Sequence, residues 1–280
     1  MRIGTHVSIA GDIANAPGNA AKVGAEVFQI FSRSPHGGPV KPITPEVAER
    51  FKAEMKKHKQ GAFYIHTPYF INLASIKNNV YYGSISVLRE ELERGTLLGA
   101  TAIMTHLGSF GELTDEEGTK RVVKAIEKVL TGYKGSTRLL LEMSAGSGRV
   151  VGDTFEEIAN ILFDKSLAKF DFGVCIDTCH WFASGYDIRN KKSVEDTVKK
   201  FDKVIGLKKL ELVHANDSKG ELGGHLDRHE NIGQGKIGLE GFQAMASQKS
   251  LGKLDWILET PKDNPKDDPK NIAILRKLRK

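Results

Sequence analysis

The sequence predicts an α/β fold of one domain, residues 1–280: a (β/α)8 TIM barrel with a metal site at the C-terminal rim of its strands. Three observations predict it. Eight short runs rich in Ile, Val, Leu, Phe and Met alternate with longer amphipathic segments. Several of those segments open on helix-start signals. Seven of the runs carry His, Asp or Glu near their ends, where the parallel strands of a barrel would deliver them to one rim. Eight strand–helix units fill roughly 250 residues, and no Pro/Ser-rich linker or low-complexity segment divides the chain.

The elements follow in order. The first run, "RIGTHVSI", carries His6 near its end; the second, "EVFQIFS", ends without an ionisable residue. Thr44 followed by Pro45 starts a helix. The third run, "AFYIHT", carries His66, and the fourth, "TAIMTHLG", carries His106. Thr114 with Glu117 then makes a capping box, and Thr154 with Glu157 makes another after the fifth run, "RLLLEMS", which carries Glu142. "FGVCIDT" supplies Asp177, "KLELVHAND" His214 and "WILET" Glu259. The closing "PKDNPKDDPKNIAILRKLRK" reads as a loop leading into a basic, amphipathic last helix.

Composition removes other classes. No apolar stretch approaches the roughly 18 residues that span a bilayer, and "MRIGTHVSIAGD" lacks the apolar core of a secretion signal. A cytoplasmic or nucleoid-associated protein without membrane contact is expected. The only cysteines are Cys175 and Cys179. On an extended strand their Cα atoms would stand about 13 Å apart, beyond the roughly 7 Å a disulfide tolerates, so both are read as reduced. The net charge of +6 mildly favours a polyanionic partner but is equally ordinary solubility charge.

A single His or Asp at a strand end ordinarily caps a turn or satisfies a hydrogen bond. Six at equivalent ends, His66, His106, Glu142, Asp177, His214 and Glu259, are a different matter. Burying several carboxylates together is costly unless something positive neutralises them, and these strand ends supply no Lys or Arg. Metal ions resolve the conflict; imidazole plus carboxylate suits catalytic zinc, with manganese or iron also acceptable. The loop after the seventh run adds Asp227 and His229 in an Asp-Arg-His triplet. As i and i+2 residues of a short extended segment they point to one side, and His180, in "IDTCHWF", is their natural third partner.

Five longer motifs, "HTPYFINLAS" (66–75), "THLGS" (105–109), "GVCIDTCHWFASGYD" (173–187), "HANDSK" (214–219) and "DRHENIGQGKIG" (227–238), are similar to those of the endonuclease IV family of apurinic/apyrimidinic endonucleases. The resemblance covers essentially the whole chain. It implies a zinc-dependent DNA-repair hydrolase that cuts the phosphodiester 5′ to an abasic site in duplex DNA, leaving 3′-hydroxyl and 5′-deoxyribose phosphate ends. It also implies trimming of blocked 3′ ends. Carried over position by position, it implies three Zn2+ per chain, with Mn2+ or Fe2+ possible. His66, His106 and Glu142 would hold the first. Glu142 would bridge to a second, completed by Asp177, His214 and Glu259, and His180, Asp227 and His229 would hold the third. Glu259 and Glu142 would be the catalytic carboxylates, and His6 a residue beside the site that binds no metal. His36, His58 and His225 match no ligand position, and His58 is expected to be a solvated helix residue.

The resemblance further implies that Tyr69 and Phe70 enter the DNA minor groove. Arg33 and His36, in "FSRSPHGGPV", are the expected DNA contacts of the loop after the second strand. That loop departs from the family, which usually carries a longer polar loop there; His36 occupies the place of its intercalating Arg. Glycines 233, 235 and 238 either bring backbone N–H groups to a phosphate or make a plain turn. A monomer is expected. Two rival functions share parts of this pattern. One is a metal-dependent sugar isomerase on the same barrel, which leaves the third cluster unexplained. The other is a non-catalytic barrel that binds DNA damage, for which the complete ligand set would be superfluous.

Overall fold

A computed structural model describes residues 1–279. Eight parallel strands close into a barrel in which β1 (Ile3–His6) pairs with β2 (Val27–Phe31) on one side and with the last strand on the other. Between them run β3 (Phe63–His66), β4 (Ala102–Thr105), β5 (Arg138–Glu142), β6 (Gly173–Asp177) and β7 (Leu210–His214). A two-stranded antiparallel ribbon, β8 (Asp217–Ser218) with β9 (His229–Glu230), stands above β7, and β10 (Asp255–Leu258) closes the barrel. All eight predicted strands are present. The run without a terminal polar residue, β2, ends on Phe31.

Helices α1 (Ala16–Lys22), α2 (Pro45–Lys57), α3 (Asn78–Leu98), α4 (Asp115–Leu130) and α5 (Phe155–Leu162) return the chain between strands. They are followed by α6 (Thr178–Ala183), α7 (Lys191–Val204), α8 (Gly238–Ser247) and the predicted last helix, α9 (Asp267–Leu278). Thr44 caps α2 with Pro45 in its first turn, and Thr114 and Glu117 cap each other reciprocally at α4. The second expected box is only half formed. Thr154 Oγ1 accepts from Glu157 N, but the Glu157 carboxylate accepts from Gly152 N at 3.1 Å. The loop before α5 turns back over the helix start and presents the nearer donor. His58 is not a solvated helix residue: it terminates α2, half-buried, with Nε2 3.1 Å from Glu54.

Two apolar layers support the rim. Helices and strand outer faces share one large core, while Val27, Tyr64, Ala102, Met104, Leu140, Cys175, Leu212 and Ile257 fill the barrel interior. Beneath that plug Asp255 accepts from Tyr64 Oη at 2.7 Å and takes both donors of Arg2. The barrel is therefore closed below by this ion pair, and its ligand candidates are displayed only above. No helix among the described residues is long and apolar enough to cross a membrane.

Candidate metal centre at the barrel rim

Each strand end delivers its residue upward. His66, Glu142, Asp177 and His214 are the last residues of β3, β5, β6 and β7, and His106 and Glu259 follow β4 and β10 directly. Asp177 also acts as a helix cap, because Oδ1 accepts from Cys179 N at 2.7 Å and from His180 N at 3.2 Å at the start of α6. That cap places the His180 ring in the first helical turn, beside the centre. Pairing of β8 with β9 brings the Asp227–His229 segment over the same rim from the loop after β7.

The nine candidates gather into three groups whose ligand atoms lie within 4.8 Å of one another: His66, His106 and Glu142; Glu142, Asp177, His214 and Glu259; and His180, Asp227 and His229. Glu142 is the hinge. It is fully buried, with Oε2 3.0 Å from His66 Nε2 and 3.7 Å from His106 Nε2, and Oε1 2.9 Å from His214 Nδ1. His180 Nε2 and His229 Nε2 converge on Asp227 Oδ1 at 3.3 and 3.4 Å. Both nitrogens are buried without a hydrogen-bond partner. A buried, unsatisfied imidazole nitrogen is costly, and two aimed at one carboxylate oxygen are what a cation would satisfy. The residues fit a divalent ion at each group. A fourth grouping, Asp177, Cys179 and His229, is geometrically possible, but burial pushes the Cys179 thiol up to about 12, so it offers no thiolate.

Three of the imidazoles are aimed by main-chain carbonyls through their other nitrogens, as metal-ligating histidines usually are. Nδ1–H of His66 donates to the Thr67 carbonyl at 2.7 Å, that of His180 to Met143 at 2.8 Å and that of His229 to Glu259 at 3.0 Å. Each therefore presents Nε2. Charge coupling is strong. Burial would raise the Glu142 carboxyl, yet His106 and His214 hold it well below its usual range. Burial opposes charge on His180, yet Asp177 and Asp227 push it up to about 10. Burial likewise works against Glu259 ionising, but His214 and His66 bring it down to about 2. These side chains hold protons where cations are wanted. By contrast His6, with burial dominating, is lowered to about 3 and stays neutral beside Glu259 at 3.9 Å.

A cavity of about 610 Å³ opens above the groups, walled by His6, Tyr69, Asp227, His229 and Glu259, with Lys219, Arg228 and Lys262 as its cations. Tyr69 is 66% exposed and Phe70 41% exposed, so neither is core. The Tyr69 ring rests on Phe31, with centroids 5.2 Å apart, and lies 6.1 Å from that of the exposed His36. Arg33 is elsewhere. It is buried, with Nε 2.5 Å from Glu91 and Nη2 2.8 Å from Glu90, so its charge is spent inside the protein and its placement gives no support to a DNA contact. Nor do the glycines meet a phosphate. The N–H groups of Gly233, Gly235 and Ile237 all donate to the buried Asp217 carboxylate at 2.9 to 3.0 Å. A Cβ on Gly235 would come within 2.4 Å of Ser218 O, so this turn is built around Asp217.

Three residues at the centre carry no prediction from the sequence. Gln29 touches His6, His214 and Glu259. Asn216 donates to Asp177 Oδ2 at 2.6 Å and accepts from Glu259 N at 2.8 Å, tying two ligand candidates together. Asp217 secures the loop that carries Asp227. The signals were a lone Gln inside an apolar run and the two polar residues after His214 in "HANDSK".

Comparison with known proteins identifies the family and the fold. The model of a family described as xylose isomerase-like TIM barrel matches residues 17–278. A protein of Methanosphaerula palustris named probable endonuclease 4 is 41% identical, over 99% of this chain and 98% of its own. The crystal structure of endonuclease IV from Thermus thermophilus superposes with a TM-score of 0.88 at 33% identity, covering 99% of this chain and 98% of that one. A D-tagatose 3-epimerase-like protein superposes at 0.73 with 20% identity, covering 99% and 97%, a likeness of fold alone.

Proposed function

The chain belongs to the endonuclease IV family of xylose isomerase-like TIM barrels, and from that premise we propose that it is an apurinic/apyrimidinic endonuclease of base-excision DNA repair. It hydrolyses the phosphodiester 5′ to an abasic site in duplex DNA, leaving a 3′-hydroxyl and a 5′-deoxyribose phosphate, and it also clears blocked 3′ ends. The observation that carries this reading is the convergence of nine ligand candidates into three groups, with His180 Nε2 and His229 Nε2 buried and unpaired.

His66, His106 and Glu142 would hold one Zn2+, Glu142, Asp177, His214 and Glu259 a second, and His180, Asp227 and His229 a third, with Mn2+ or Fe2+ chemically acceptable. When bound, such ions neutralise the scissile phosphate and make water a nucleophile at neutral pH. The protein's own groups do the rest. The four ligand carboxylates sum to −4, and three divalent ions would turn the pocket to about +2, so the same cavity that repels a phosphodiester comes to attract one. Glu259, a carboxylate at any physiological pH, accepts a hydrogen bond from the attacking water and aims it. Lys219 and Arg228 line the mouth and meet the flanking phosphates, which position the strand without reading its sequence, while Lys262 is held by Asp268 at 2.8 Å.

Tyr69 and Phe70 supply the wedge. An abasic nucleotide is the cheapest one to turn out of a stack, and an exposed aromatic pair on the rim holds the gap open by stacking on its neighbours. The protein acts as a cytoplasmic or nucleoid-associated monomer. A sugar isomerase would leave His180, Asp227 and His229 without a role. The deciding experiment is incubation of the purified, zinc-loaded protein with a duplex bearing one abasic site and identification of the new ends. Nicks 5′ to the lesion support the reading; an intact duplex together with turnover of a ketose or aldose would overturn it.

A further inference from the structure

Gln29 lies in the middle of β2, completely buried, on one of the two barrel strands, β1 and β2, that contribute no ligand candidate. A buried amide is costly unless both ends are satisfied, and all of its side-chain hydrogen bonds go to the metal centre. Oε1 accepts from His214 Nε2 at 2.8 Å, while Nε2 donates to Glu259 Oε1 at 2.6 Å and to His6 Nδ1 at 3.0 Å. The chemistry of an amide makes these contacts directional. Its oxygen can only accept, so His214 keeps a proton on Nε2 whether or not an ion is bound, and it is Nδ1 that faces Glu142 Oε1 at 2.9 Å and Glu259 Oε2 at 3.3 Å and would give up its proton to an ion. Its nitrogen can only donate, so it grips Glu259 through one oxygen and leaves the other facing the same point.

His214 differs from its neighbours in this respect. His66, His180 and His229 are each aimed by a main-chain carbonyl and present Nε2. His214 presents Nδ1, and a side chain decides that.

We propose that Gln29 is the positioning residue of the Glu142, Asp177, His214 and Glu259 group: it selects the nitrogen that His214 offers and aims the Glu259 carboxylate, and it has no part in the His180, Asp227 and His229 group. The inference rests on the metal-dependent reading above. It makes that reading more specific, because loss of Gln29 would weaken one ion position out of three far more than the others.

The test uses full-length Gln29→Met, which keeps bulk and removes both polar ends, and Gln29→Glu, which keeps an acceptor for His214 and replaces the amide donor to Glu259 by a second carboxyl. Zinc is titrated into each protein against a chromophoric chelator, and the imidazole nitrogens are followed by 15N NMR with labelled histidine. In Gln29→Met, one of three zinc equivalents is expected to weaken by about 10- to 100-fold, the usual cost of losing a hydrogen-bond partner behind a metal ligand. The other two should hold, and the Nε2–H signal of His214 should disappear. In Gln29→Glu that signal should persist. If the Met variant does not fold, the Glu variant decides alone, and absence of the His214 Nε2–H signal in it overturns the proposal. Three unchanged zinc affinities in a folded Met variant overturn it too, leaving the endonuclease reading intact. A wild-type chain that binds no divalent ion overturns both.

Discussion

Replacing Glu259 by Gln isolates charge from shape at the centre. The wild-type carboxylate uses both oxygens: Oε1 takes the Gln29 amide at 2.6 Å, and Oε2 faces His214 Nδ1 at 3.3 Å. The main chain is held separately, with N donating to Asn216 and O accepting from His229, so the backbone should stay in place. An amide has one acceptor to offer. If its oxygen meets Gln29, its NH2 points at His214 Nδ1 and ties up the lone pair an ion needs; the reverse orientation sets two NH2 groups against each other. The variant therefore loses a negative charge, one ligand atom and the acceptor for water together. Abasic-site incision should fall by at least about 10²-fold, the lower end for a lost general base, or about 2.7 kcal/mol of transition-state stabilisation. The assay is single-turnover nicking of an end-labelled abasic duplex at saturating protein, with zinc content measured on the same sample and duplex affinity measured separately. Duplex affinity should change little. Single-turnover nicking within about threefold of wild type, at full zinc content, would refute the assignment of Glu259.

Three further outcomes are expected. Because Asp177 and Asp227 push His180 up to about 10, and Cys175, Glu259 and Glu142 push His214 well above its ordinary value, in both cases against burial, both carry protons at pH 7.5 in chelator-stripped protein. Zinc uptake should release at least one proton per chain and tighten as pH rises; uptake without proton release, read with an indicator in weak buffer, would contradict the charge pattern. Tyr69→Ala should weaken binding to an abasic duplex by about 1 to 3 kcal/mol, the worth of one aromatic–base stack. His36→Ala should matter less and His36→Arg should tighten binding mainly at low salt; affinities of all three variants at two salt concentrations test this ordering. Arg33→Ala takes from the fully buried Glu91 its short ion pair, leaving it Ser32 Oγ at 2.7 Å and Arg94 at 3.7 Å, and should cost stability toward the lower end of the roughly 3 to 5 kcal/mol of a broken buried pair. A thermal midpoint unchanged from wild type would refute the inward role of Arg33.

The sequence makes the barrel legible because its signals are periodic and repeated. Apolar runs with a His, Asp or Glu at the end recur along the chain, and a parallel barrel turns that recurrence into proximity. What stayed hidden depends on a partner far along the chain. Gln29 is one polar residue inside "EVFQIFS", meaningful only once β1, β7 and β10 bring His6, His214 and Glu259 to it. The glycines at 233 and 235 suggest an anion cradle, and they do make one, but the anion is Asp217 from the same chain. Arg33 shares its loop with His36, yet α3 supplies Glu90 and Glu91 and turns it inward. Charge read locally gives the residue type a site needs; which charge is already spent is a tertiary fact.

The three groups are also one electrostatic unit, and that follows from where Glu142 sits. It belongs to two groups directly, and its Oε1 lies 3.8 Å from His180 Nδ1 in the third. Asp177 joins the second and third in the same way, with Oδ2 3.6 Å from His229 Nε2. A carboxylate buried as deeply as Glu142 persists only because positive partners surround it, so loss of a charged ligand side chain from one group alters what the others must neutralise. Removing His180 would leave Asp227 with His229 alone and would also take a positive partner from Glu142. Single substitutions at the nine positions should therefore be strongly non-additive in ion affinity. Gln29, which contacts only one group, is the place where the unit can be opened at a single ion.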